Sequence, residues 1–511
     1  MQALAASRED AFDPARHSLE RMVGFLQARE SWTMKHSELE RWIEKEGREV
    51  MRQLLQAHLE LRGPAEAVEE VRDADGGERD IGRLHQRSLA TVFGAVTVER
   101  FGYRNKGQES LHPVDGELNL PVERYSLELR RRVAEQAAKS SFEETQKTLE
   151  MTTGSAVPKR QVEELVARAG NAEDFDQFYV THAPVEGPSG ELQVITSDGK
   201  GVVMRREDLR EATKKAAERS RHKLGKRLSR GEKRNRKRMA TVAAVYTIAP
   251  FVRTPEQIVG EMAPMHAAER TPRPRPQRKR VWASLEKPPE QVLEEAFQEA
   301  ERRDPEHEKK WVAVVDGNKE QLRLLRTLAR RHSVALTVVL DIIHVVEYLW
   351  KAAYVFHAQA TPEAEQWVSE RLLQILKGRA GYVAGGIARS ATRRGIRRTK
   401  RKAADACVRY LLRHKAYLHY DTYLAAGFPI ASGVIEGACR HLVRDRMDVT
   451  GARWSLKGAE AVLRLRALRS SGDFDEYWRF HEAREIERNH LAAYADGRLP
   501  RTRNSHLTVV K

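Results

Sequence analysis

A chain of 511 residues with 41% apolar and 32% charged residues is long enough for several packed domains and has the balance of a helix-rich, water-soluble protein. It has no apolar run of the length that spans a bilayer and no apolar signal segment at its start, so neither a membrane span nor secretion is expected; its 2 cysteines, Cys407 and Cys439, exclude a disulfide framework or a four-cysteine zinc site and suit a reducing, cytoplasmic setting. The formal net charge of +17 favours polyanions, because every phosphate neutralised by Lys or Arg releases condensed counterions.

Residues 13–62 predict helix: Leu19, Met22, Val23, Leu26, Trp32, Leu39, Trp42 and Ile43 recur at three- and four-residue steps. "ADGGERD" at 74–80 breaks the chain. "ATVFGAVTVERFGYRN" (90–105) alternates apolar and polar residues around Gly94, as a β-hairpin would, and "LHPVDGELNLP" reads as loop. Residues 125–170 return to helix, with a turn at Gly154 and a second helix from about Pro158, which is helix-turn-helix spacing. The second helix offers Lys159, Arg160 and Gln161 in its first turn, where recognition helices meet DNA; many helical hairpins share the spacing.

From residue 190 the texture changes. Strand-like runs at Leu192–Ile195, Ala240–Ile248, Val312–Val315 and Val334–Leu340, separated by helical or basic stretches, predict an α/β core. Basic runs occupy 205–238, 270–280 and 393–402. One such run is usually a solvated face or arm; three around one core point to a nucleic-acid track. Residues 345–430 read as helices interrupted at "AGYVAGGIARSATRRG". "GFPIASGVIEGACRHLVRDRM" then starts a helix that Ser432 can cap, with Val434, Ile435, Ala438 and Leu442 as its apolar stripe. The polar tail from about 483 is expected to order only by docking.

Three carboxylates stand out. Asp198 closes the first strand of the core and Asp316 closes another, each before a glycine; Glu436 lies in the first turn of the late helix. Open α/β sheets carry their functional groups just beyond strand ends. Two such aspartates and a facing glutamate can hold two Mg²⁺ ions, or Mn²⁺ in their place, and two ions about 4 Å apart serve the attacking and leaving oxygens of phosphodiester chemistry. The plainer alternatives are that Asp-Gly is a common turn pair and that Glu436 pairs with Arg440 one turn on. Arg440, Arg444 and Arg453 surround Trp454, an arrangement suited to stacking a splayed base; equally, Trp454 can anchor the last helix to the core.

The segments "VFGAVTVERFGYRN", "HPVDGELNLP", "VITSDGKGVVM", "WVAVVDGN", "DIIHVVEYLWKAAYVFH", "SGVIEGACRHLV" and "MDVTGARWSLKGAEAVLRLRAL" together resemble the insertion-sequence DDE transposases of the ISKra group, relatives of Mutator-type transposases with an RNase H-like catalytic core. The resemblance implies Asp198, Asp316 and Glu436 as the catalytic triad, and an all-helical insertion at 345–430 between the fifth strand and the Glu436 helix. Such proteins often carry a cysteine pair after the hairpin. "GYRNKGQESLHP" has none, so the hairpin is expected to hold by packing alone. Asp341 also ends a strand-like run, and with His344 it matches the family's C/D-x-x-H motif. That gives Asp316 to metal and Asp341 with His344 to a supporting role; the rival assignment makes Asp341 the ligand, and the plainest makes His344 a half-buried histidine bonded to Asp341.

The expected organisation is 1–80 helical, 81–122 hairpin and loop, 123–172 helix-turn-helix, 185–344 the first part of an RNase H-like α/β core with a basic insertion at 205–238, 345–430 the helical insertion, 431–482 the last part of the core, and 483–511 a tail. The expected activity is metal-dependent cleavage at an element's terminal repeats and transfer of the 3′ hydroxyl into target DNA, by a homodimer or higher oligomer on DNA in a bacterial, nucleoid-associated setting. The competing classes are a transposase-derived DNA-binding regulator without catalysis, an RNase H-like nuclease that cuts without joining, and a basic structural protein of RNA.

Overall fold

Three- and four-residue apolar spacing draws the N-terminal chain into α1 (Asp13–Gln27), α2 (Arg29–Trp32) and α3 (His36–Arg62). The computed structural model describes residues 10–182, 189–219, 236–262, 272–449 and 451–503. They form two units, Met1–Thr181 with Asp473–Lys511, and His182–Gly472.

In the first unit, β1 (Glu66–Ala67) precedes a hairpin of β2 (Ile81–Thr91) and β3 (Gly94–Tyr103), whose register closes at Thr91 opposite Gly94. The paired strands occupy the expected hairpin region from residue 81, nine residues ahead of the alternating run at 90–105; β2 is largely polar and shows little apolar alternation on its own. Val96 and Val98 of β3 point inward. The expected loop at 111–121 holds a short helix, α4 (Pro113–Glu117), begun by a proline that needs no N–H donor there and by Asp115 at the positive helix end. Ser126 Oγ accepts from Leu129 N (3.2 Å) and starts α5 (Leu127–Lys139); Ser141 Oγ accepts from Glu144 N (3.1 Å) and starts α6 (Phe142–Thr152). After α7 (Lys159–Ala169) comes α8 (Ala172–Thr181). Helices α5, α6 and α7 pack on one another around Val133, Leu149, Val162 and Leu165. The tip of the hairpin is tied to the α6–α7 turn: Gly154 N donates to Val92 O (2.9 Å) and Ser155 Oγ to Thr91 O (2.8 Å).

The second unit holds β4 (Leu192–Val203), α9 (Glu211–Arg219), β5 (Lys237–Ile248), α10 (Pro255–Met262), β6 (Gln277–Ser284), α11 (Pro289–Arg303), β7 (Lys310–Val315), α12 (Lys319–Arg331) and β8 (Leu336–Leu340). The five strands make one mixed sheet in the order β6-β5-β4-β7-β8. β5 runs antiparallel to β4 and β6, whereas β7 and β8 follow β4 in parallel. The α/β core is therefore present. β6 was not expected, since it emerges from a basic run. Its Arg280 is neutralised by the buried Glu299 of α11 at 2.6 Å, which a local reading cannot see.

Helices α13 (Ile342–Phe356), α14 (Pro362–Leu376), α15 (Ala380–Arg393), α16 (Lys402–Arg413) and α17 (Tyr420–Ala425) follow. The glycine-rich stretch expected to interrupt them is α15 itself. Buried Val383, Ala384, Ile387 and Ala391 offset the roughly 1 kcal/mol that each helical glycine costs. α18 (Gly433–Ala438) runs on through a π-helical segment, Cys439–Arg444, into α19 (Asp445–Met447), and α20 (Leu456–Ser471) closes the unit. The chain then rejoins the first unit through α21 (Phe474–Asn489) and β9 (Thr502–Arg503), which pairs with β1. Residues 474–482, expected in the core, belong to the first unit, and the tail from 483, expected to order by docking, docks there too: fully buried Tyr477 donates to Ala169 O (2.7 Å), and Arg130 lies against Glu485 (2.6 Å). Among the described residues no helix is long and apolar enough to cross a membrane.

Candidate active site at the ends of three parallel strands

Strand register brings the aspartates into line. The β4–β7 ladder runs to Thr196 opposite Val314, and the β7–β8 ladder to Val315 opposite Leu340. Two steps beyond the first pair are Asp198 and Asp316; one step beyond the second are Asp316 and Asp341. Asp341 N continues the ladder by donating to Val315 O at 2.8 Å. The three aspartates therefore share one level on adjacent chains, with neighbouring strands spaced about 4.8 Å apart.

The two Asp-Gly pairs do different things. Asp198 does not close its strand: β4 stays paired with β5, Asp198 opposite Val242 and Gly199 opposite Thr241, as far as Val203. Asp198 marks instead the place where β4 parts from β7. Asp316-Gly317 is a true turn. Gly317 has φ +88, and a Cβ there would sit 2.7 Å from Leu340 Cδ1.

The carboxylates differ in how much of them is spoken for. Half-buried Asp198 accepts from Gly199 N (2.6 Å) and from the Cys439 thiol (3.4 Å). Burial, and then Asp198 beside it, push that thiol up, so it stays protonated and donates. Half-buried Asp316 accepts from Asn318 N (2.9 Å) through Oδ1, and its Oδ2 takes no donor among the described residues. Asp341 is fully buried and fully engaged. Its Oδ1 caps α13 through Ile343 N (2.8 Å), and its Oδ2 receives Ser432 N (3.3 Å) and the Ser432 hydroxyl. Ser432 thus spends its side chain on Asp341 and does not cap α18 through it, as was expected.

α18 packs against β4 and β5 and carries exposed Glu436. The Glu436 carboxyl is raised by partial burial first, then by Asp341, Asp198 and Glu347, with His344 opposing. It therefore sits within electrostatic reach of two of the aspartates. Arg440 lies nearest Asp445, at 3.9 Å, and not on Glu436. His344 is half-buried in the first turn of α13 and makes no hydrogen bond to Asp341 among the described residues. Carboxylate oxygens are the donors that a hard cation such as Mg²⁺ prefers, so the chemistry of the set fits. Among the described residues, however, no three His, Cys, Asp or Glu side chains stand close enough to hold a metal. The Glu436 carboxylate takes no hydrogen bond among the described residues.

Two groups at the end of α16 buttress the turn and left no trace in the local sequence. Tyr410 donates to Asp316 O (3.1 Å) while its ring stacks on Tyr348 at 4.0 Å, and His414 Nε2 lies 3.0 Å from Gly317 O. Of the two roles open to Trp454 in the sequence, its surroundings favour the anchor. It is 6% exposed, its backbone pairs with Val203 and Arg205, its indole donates to Met447 O (3.1 Å), and Arg446 lies 4.7 Å over its ring. It is an anchor, with no face left for a base. Arg440, Arg444 and Arg453 are exposed around it. In the first unit Lys159 and Arg160 are exposed and Gln161 partly so; Arg160 (3.2 Å) and Gln161 (3.0 Å) both bond Glu164. Of the basic runs, residues 220–235 and 270–271 lie outside the described residues, and 393–402 lies within them. Neither a family model nor a curated protein sequence matches the chain.

Proposed function

We propose that this chain is a DDE-type transposase, and that its mixed sheet is an RNase H-like core that cuts DNA at the ends of an insertion sequence and joins the freed 3′ hydroxyl to target DNA. The observation that carries the reading is the shared level of Asp198 and Asp316 on adjacent parallel strands, with Glu436 close enough to feel Asp198. Asp198, Asp316 and Glu436 would hold the metal; bound Mg²⁺ supplies activation of the attacking oxygen and stabilisation of the leaving one. The open oxygen of Asp316 and the spent oxygens of Asp341 favour Asp316 as the second ligand.

The remaining residues position. Asp341 and Ser432 tie the helix bearing Glu436 to the end of β8. Tyr410 and His414 hold the backbone of the Asp316 turn. Lys159, Arg160 and Gln161 would read the terminal repeats, while Arg440, Arg444, Arg453 and the basic runs would grip backbone phosphates of element and target. Pairing two ends calls for at least a dimer on DNA.

The test is Mg²⁺-dependent cutting and joining of an end-bearing duplex by wild type, Asp198→Asn, Asp316→Asn, Glu436→Gln and Asp341→Asn. The expected outcome is a loss of at least ~10²-fold in both steps for the first three variants. Full activity in Asp316→Asn would sink the assignment. Cutting without joining by wild type would make the chain a nuclease.

A further inference from the structure

A second polar centre lies in the first unit, where β2, β3, the α4 turn and the end of α21 enclose a pocket of about 370 Å³. Arg87, Arg100, Ser110, His112, Asp115 and Asn489 line it. Both arginines turn onto the same oxygen, Asp115 Oδ2: Arg87 Nη1 at 3.5 Å, and Arg100 Nη1 in a closer ion pair. The next acid along, Glu123, is taken by Arg130 and Arg168. Two guanidiniums thus share one carboxylate, and one positive charge is left over in a largely buried place. His112 adds no further charge: burial, Arg100, His85 and Arg87 depress its pKa to about 4, so it is neutral at pH 7. Its Nε2 lies 2.9 Å from His85 Nδ1.

Two buried polar atoms of this cluster find no partner among the described residues, Arg100 Nε and Asp115 Oδ1. One is a donor and the other an acceptor, and both are costly to leave unmade. A ligand that satisfies both must carry an anionic oxygen and an O–H. A monohydrogen phosphate group does. Sulfate at neutral pH has no proton to give, and neither has a phosphodiester inside a strand.

The geometry points to a binding site for a protonated phosphate group, either inorganic hydrogen phosphate or the terminal phosphate of a nucleic-acid strand in its singly protonated form, with Arg87 and Arg100 taking its charge and Asp115 Oδ1 accepting a hydrogen bond from its O–H. This inference is independent of the carboxylate site in the second unit.

Titration calorimetry of the full chain at pH 7, in matched chloride, tests it. Inorganic phosphate is expected to saturate one site per chain, and sulfate to bind at least about tenfold more weakly, because it leaves Asp115 facing an unprotonated oxygen. Arg100→Lys, which keeps the charge and loses the fork, should weaken phosphate by about tenfold or more. Asp115→Asn, whose amide can donate, should bring sulfate up to parity with phosphate. A 5′-phosphorylated oligonucleotide and its 5′-hydroxyl twin separate the sources. Competition with inorganic phosphate by the phosphorylated strand alone identifies a strand end; competition by neither, with inorganic phosphate still binding, identifies the free ion, and both uphold the site. No phosphate binding, or equal binding of sulfate by wild type, overturns the proposal. That comparison needs no variant to fold.

Discussion

Asp316 and Asp341 are neighbours in register but opposites in commitment. Asp341 is buried and holds two elements together, so its loss should cost stability as well as activity. We expect Asp341→Asn and Ser432→Ala to lower the melting temperature by roughly 2–5 °C, from one lost charge-assisted bond each, and Asp316→Asn to leave it within about 1 °C. Calorimetry on the three variants checks this; equal stability in all of them would remove the positioning role of Asp341. A second residue-scale prediction concerns acid. Burial alone would raise the Glu299 carboxyl, but Arg280, Arg303 and Arg302 outweigh it and hold it at about 2. In the first unit burial of Asp174 is likewise outweighed by His481 and Arg488, to about 2. A carboxyl lowered on folding adds stability above its unfolded value and loses it as pH falls toward the folded one. The melting temperature should therefore fall between about pH 4.5 and 2, and Glu299→Gln should flatten that fall while lowering stability at pH 7 by roughly 3–5 kcal/mol, because three cations lose their shared partner. The sequence shows each of the strand-end aspartates but not which of them is occupied. Occupancy depends on Ser432, 91 residues away, and on no local pattern.

At the scale of elements, the junction between the hairpin tip and the α6–α7 turn depends on one glycine. A Cβ on Gly154 would run into the Phe93 backbone carbonyl. Backbone cannot step aside as a side chain can, so Gly154→Ala should lower stability by ~2 kcal/mol or more and weaken binding of end DNA with it. Chemical denaturation and a gel-shift titration would show the two losses together; a stable variant with weakened DNA binding would instead tie Gly154 directly to the DNA. Elements whose burial is written locally were legible: β7 as an unbroken apolar run, the helices of 125–170 by the turn at Gly154 and the restart at Pro158, and the helices flanking α15. Those completed by distant partners were not. β6 needs Glu299 to discharge Arg280, α15 needs neighbours for its alanines, and β4 continues past Asp198 because β5 pairs with it to Val203.

At the scale of the whole chain, the first unit is made from both ends of the sequence. A chain stopped after Gly472 keeps every residue of the second unit but strips Arg130 of Glu485 and His481, and Asp174 of His481 and Arg488. Asp174 is then a buried charge left without a partner, at several kcal/mol, and Arg130 is left with Glu123 alone. The expected outcome is that limited proteolysis digests residues 10–181 of the truncated chain while 189–472 persists; a protected N-terminal part would show that α21 is dispensable. This closure was the least legible feature of all. The sequence assigns 474–482 to the core and leaves the docking place of the tail open, because the partners of this stretch, Ala169 and Asp174, lie about 300 residues upstream.

The split has a consequence in time. On the ribosome the first unit is begun, then left open while about 290 further residues are made, for roughly 15–60 s at ordinary elongation rates. Throughout that interval the helix-turn-helix lacks the helix that buries its floor, whereas the sheet and its carboxylates can already close. Residues 474–503 therefore act as a seal, and a chain released before they are made is born with its N-terminal unit unfinished.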